Sequence, residues 1–87
     1  AGNFNGEYMA GSQKAIRDYV NTEPAGQLSA QDQIDYLRLC ALLIIWDGTL
    51  SDHAARELDK LAASKNGEIK QDAGLVKGLL GFYKGYD

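Results

Sequence analysis

The sequence predicts an all-α fold: a small four-helix orthogonal array or bundle with a flexible N-terminal arm. Three observations lead there. Apolar residues recur at helical spacing in four separate segments. Pro, Gly, Ser and Asn punctuate the gaps between those segments. Residues with strand preference are few and never alternate. With 87 residues the chain has room for one domain, over residues 7–87, behind an arm at 1–6.

The arm, Ala1 to Gly6, holds two Gly and two Asn in six residues. A first helix is expected from about Glu7 to Asn21, with Met9, Ile16, Tyr19 and Val20 on its inner side and Pro24 closing the segment. Gly11 and Ser12 weaken its beginning. The stretch Thr22 to Leu28, with Pro24 and Gly26, reads as a connection.

The second helix has the clearest start. Ser29 is a good N-cap and Asp32 follows three residues on, an acidic variant of the capping box. Ile34, Leu37, Ala41 and Ile44 or Ile45 then repeat with a helical period. From Leu39 to Trp46 the segment is apolar all round, so it is expected to be the central helix, buried on several sides. Gly48 is its stop, because glycine takes the left-handed conformation that helix ends favour.

Ser51 or Asp52 can cap a third helix running to about Lys65, with Leu50, Ala54, Leu58, Leu61 and Ala62 as its inner stripe. Asn66-Gly67 reads as its terminator. A fourth helix is expected from Glu68 or Ile69 to about Lys84, with Ile69, Val76, Leu79, Leu80 and Tyr83 on one broad face.

Composition narrows the function classes. Apolar residues make up 45% and charged residues 24%, the ordinary globular range. The net charge of −3, from nine Lys and Arg against twelve Asp and Glu, leaves no basic footprint for nucleic acid. The longest apolar run is eight residues, against about 20 for a membrane span. Lys70, Lys77 and Lys84 at heptad spacing hint at an interfacial helix, but Glu68, Asp72 and Asp87 offset them, which argues against a membrane partner. The single cysteine, Cys40, rules out an intramolecular disulfide and reads as a buried, inert thiol.

Nothing in the sequence assembles a catalytic group. The serines lack a nucleophile-elbow turn, and the glycines lack the Gly-Lys-Ser or Gly-Lys-Thr of a phosphate loop. The chain is therefore expected to be non-enzymatic and to need no cofactor. Asp47, Asp52, His53 and Glu57 collect oxygen and nitrogen donors near one loop and are the candidate metal ligands. The competing reading makes Asp47 a turn residue, Asp52 a helix-start charge and His53 a surface histidine.

The last helix carries the strongest functional signal. Gly74, Gly78, Gly81 and Gly85 are spaced 4, 3 and 4 residues apart, which places them within roughly 60° of one another on a helix. Each costs about 0.8–1 kcal/mol relative to alanine in a helix interior. A smooth stripe of this kind lets another backbone approach closely, whether from the same chain, a second copy or a foreign protein. The candidate partner-binding residues are Gly74, Gly78, Gly81, Phe82, Tyr83, Gly85 and Tyr86, with Phe4 and Tyr8 as contacts from the arm. The leading expectation is a protein–protein interaction module. The alternatives are a small structural subunit of a viral or other assembly that associates with itself, and a metal- or small-ligand-binding domain.

The segment Leu39 to Ala63 runs from an apolar helix through Trp46-Asp47-Gly48-Thr49-Leu50-Ser51 into a second helix bearing Leu58 and Leu61. This resembles the helix–Asp-Gly–helix unit of TerB-like domains. The resemblance implies an all-helical, stress-linked interaction domain that binds metal through acidic residues. The family pattern has an acidic residue shortly after the turn, where this chain has His53 and Ala54.

Overall fold

The computed structural model describes residues 6–84, with side chains described from residue 11 onward. Four α-helices make up the fold: α1 (Gly6–Thr22), α2 (Ala30–Asp47), α3 (Asp52–Ala62) and α4 (Gly67–Lys84). No strand occurs among the described residues. A single 3-10 turn, Ala25–Gln27, interrupts the connection between α1 and α2. It places Ala25 in the core, a burial that the Pro and Gly content of the connection does not advertise.

Local chemistry explains the helix ends. Ser29 caps α2 by accepting the Asp32 amide at 3.2 Å, and Ser51 caps α3 by accepting the Ala54 amide at 3.1 Å. Gly48 ends α2 at φ 76°, the left-handed conformation expected of it, and its amide donates to the Ile44 carbonyl at 2.7 Å. Two boundaries differ from expectation. The third helix stops at Ala62, where a tightened turn takes the Ala63 and Ser64 amides. Asn66-Gly67 is the start of α4 rather than a terminator: Asn66 Oδ1 accepts the Glu68 and Ile69 amides at 3.0 and 3.3 Å.

The core is built around α2 and α4, with α3 packed firmly on α4 and α1 laid against α2 and α3. Val20, Tyr36, Leu37, Cys40, Ile44, Leu58, Leu61 and Ile69 are its largest fully buried side chains. Ile16 and Tyr19 pack on its edge from α1. Burial of an aliphatic side chain of this size stabilises the fold by about 1.5–3 kcal/mol.

As expected of the central helix, α2 meets neighbours on several sides, touching α1, α3, α4 and the 3-10 turn. Cys40, Leu43 and Ile44 face the core, but Leu42 and Ile45 stand 38% and 55% exposed. An apolar run without periodicity cannot say which of its sides finds a neighbour, and here the side of Leu42 and Ile45 is left partly in water.

Polar side chains also tie the elements together. Arg17 of α1 donates from Nε and Nη2 to the two carboxylate oxygens of Asp47, at 2.9 and 2.7 Å. Ser51 donates its hydroxyl to Asn21 Oδ1 at 2.7 Å, so the end of α1 and the start of α3 are joined side by side.

Candidate functional site

The residues alone offer two candidate regions: the acidic and histidine residues between α2 and α3, and the outer face of α4. The structure treats them differently.

The first group does not converge. Asp47 is engaged by Arg17, which holds its carboxyl below the ordinary carboxylate range through the paired hydrogen bonds. His53 is half-buried rather than a surface residue, and its Nε2 lies 2.9 Å from the Glu23 carbonyl oxygen. A carbonyl only accepts, so that nitrogen carries the hydrogen. Glu57 is 4% exposed and points to the 3-10 turn. It accepts Lys60 Nζ at 2.8 Å and the Gly26 amide at 3.3 Å. The Lys60 hydrogen bond, against the pull of burial, keeps the Glu57 carboxyl low. Asp52 is exposed in the first turn of α3. Among the described residues, no three His, Cys, Asp or Glu side chains are grouped to hold a metal ion. The four candidate ligands thus do not gather around one point, because Asp47, His53 and Glu57 are each turned toward a different partner: Arg17, the Glu23 carbonyl and Lys60.

The second region keeps its pattern. Ile69, Ala73 and Val76 turn inward on α4, while Leu79, Leu80 and Tyr83 are half-buried beside them. The glycines therefore face outward. A methyl group added at Gly74, Gly78 or Gly81 would meet nothing within 4 Å. Among the described residues no other helix approaches the stripe, so packing between these four helices does not account for it. On one flank stand Leu75, 67% exposed, and Phe82, 59% exposed. The Phe82 ring meets Tyr83 edge-on with centroids 5.9 Å apart. Lys70, Lys77 and Lys84 run along the other flank, and Lys77 is tied to Asp59 of α3 at 3.0 Å. Gly85 and Tyr86, the arm residue Phe4 and the Tyr8 side chain lie outside the described residues.

Beside Leu75 runs a feature that the sequence does not suggest. A shallow groove of about 290 Å³ lies between α2 and α4, lined by Leu37, Arg38, Ala41, Asp72, Leu75 and Val76. One signal could have pointed to it. On a helix Leu75 falls about 100° or more away from each of Ile69, Ala73 and Val76, so it cannot share their buried stripe.

Neither the thiol nor the buried phenol is placed for reaction. Cys40 is fully buried, and burial pushes its thiol up to about 12, outweighing the opposite pull of the Tyr36 hydroxyl. The Tyr36 phenol is likewise raised by burial, and its hydroxyl donates to the Val20 carbonyl at 2.8 Å. No described helix is long and apolar enough to cross a membrane. Compared with family models, with curated proteins and with solved structures, the chain matches none.

Proposed function

We propose that the chain is a non-enzymatic helical module that works by contact with another protein, through the outer face of α4. One observation carries the reading. Gly74, Gly78 and Gly81 meet nothing among the described residues, yet they lie beside Leu75 and Phe82, two large apolar side chains left mostly in water. Glycine in a helix interior costs stability, and three in one helix with no such neighbour are best accounted for by a neighbour from outside. Large apolar side chains beside a flat backbone supply contact area at low entropic cost. The burial of Cys40 and the engagement of His53 by a backbone carbonyl support the non-enzymatic part.

The test compares the chain with its Gly78→Ala/Gly81→Ala variant as immobilised bait, with circular dichroism on both. The expected result is a variant of higher helicity that retains less partner protein. Equal retention by the two baits would show that the glycine stripe is not the contact.

A further inference from the structure

The α2–α4 groove has two walls of opposite charge. Leu37, Arg38 and Ala41 form the α2 wall, and Asp72, Leu75 and Val76 form the α4 wall. The floor is apolar; each wall carries one ionic side chain. Among the described residues these charges are not spent on each other or on strong partners. Arg38 reaches only Asp35, at 3.9 Å between two exposed side chains, an arrangement that contributes little. Asp72 forms no ion pair and accepts no side-chain hydrogen bond among the described residues.

We propose that this groove pairs with the same groove of a second copy, each Arg38 meeting the other copy's Asp72. The inference rests on the reading that the chain works by contact, and it adds a second contact surface with its own partner. A two-fold axis running along the groove lays the α2 wall of one copy over the α4 wall of the other. Positive then meets negative twice, as an isologous interface requires. Turning the axis across the groove would instead set Arg38 against Arg38 and Asp72 against Asp72. The charges therefore select one orientation as well as one occupant.

The apolar residues follow the same arrangement. Leu75, 67% exposed on the α4 wall, and Ala41 on the α2 wall supply apolar surface to the pairing. Ile45, one turn beyond Ala41 and 55% exposed, extends the apolar strip of the α2 wall. Lined by six residues, the groove is small beside the roughly 20–30 residues per side of a standard stable interface. The pairing is accordingly weak and concentration-dependent.

Light scattering coupled to size exclusion tests this from low micromolar to near-millimolar chain, on the wild type, Arg38→Asp, Asp72→Arg and an equimolar mixture of the two variants. Circular dichroism confirms that each variant is folded; Arg38→Gln and Asp72→Asn replace either one that is not. The wild-type mass is expected to climb from one copy toward two as concentration rises. Each charge reversal sets like charges together and is expected to weaken pairing by about tenfold or more. The mixture of the two reversals is expected to recover. One variant then carries acid on both walls and the other carries base on both, so a mixed pair sets opposite charges together at each contact. A wild type that keeps the monomer mass throughout overturns the proposal, as do folded variants that pair like the wild type or a mixture of reversals that fails to recover. Failure here leaves the α4 face free to bind a foreign protein, which the glycine variant decides separately.

Discussion

The Tyr36 hydroxyl donates to the Val20 carbonyl at 2.8 Å, and Val20 lies four residues before Pro24. In a helix that carbonyl would accept the amide of residue 24, but proline has no N–H to give. Tyr36, on α2, therefore supplies the donor that the end of α1 lacks. Both residues are fully buried, so no water takes over if the hydroxyl is removed.

Tyr36→Phe is expected to destabilise the fold by about 1–3 kcal/mol, since it strands a buried carbonyl while leaving the ring in place. For a domain of this size that corresponds to a fall in Tm of about 4–8 °C for each kcal/mol. Chemical and thermal denaturation followed by circular dichroism measure it. A variant as stable as the wild type would mean that the Val20 carbonyl finds another donor.

Cys40 is expected to resist thiol reagents in the native state. Its burial denies access, and a thiol pushed up to about 12 is almost wholly protonated at neutral pH. Labelling by a chromogenic disulfide should be slow in buffer and complete at once in denaturant. Rapid stoichiometric labelling, with the circular dichroism spectrum unchanged, would contradict the packing of Cys40 between α2 and its neighbours.

Glu57 links stability to pH. Its carboxyl is held low mainly by the Lys60 hydrogen bond, so the folded state binds the proton less readily than the unfolded chain. The resulting stability is present above the ordinary carboxylate range and is lost as pH falls through the lower, folded value. Glu57→Gln is expected to cost about 1–2 kcal/mol at neutral pH, by weakening the ties to Lys60 and the Gly26 amide. The two stability curves should draw together on acidification. Asp47, held low in the same sense by Arg17, keeps some acid sensitivity in the variant. A constant gap between the curves down to low pH would remove Glu57 from this role.

These ties also mark where sequence reasoning reaches its limit. Ser29, Gly48 and Ser51 act on amides or carbonyls within a few residues, so their roles are legible from local order alone. Asn66 is ambiguous, because the same Asn-Gly pair can end one helix or begin the next. The partnerships of Arg17 with Asp47 and of His53 with Glu23 join residues thirty apart, and no local pattern encodes them. Asp47, His53 and Glu57 resemble a donor cluster because they are close in sequence, yet each faces a different partner. The outward glycines of α4 are legible because helical spacing alone sets their common face. The groove beside them is not, since it takes Arg38 and Ala41 from another helix to form it.

The glycines of α4 give the sharpest separation between stability and function. Gly78 and Gly81 sit in helical backbone with open space where a methyl group would go, so alanine introduces no clash. Each substitution is expected to stabilise the isolated chain by about 0.8–1 kcal/mol, raising helix propensity and restricting the unfolded state. Thermal melts of the single and double variants measure this. An increase in Tm accompanied by weaker partner retention would mean that the stripe sacrifices stability for close approach. If either alanine lowers Tm instead, the backbone there is not the unstrained, uncovered helix described above, and the contact argument loses its premise.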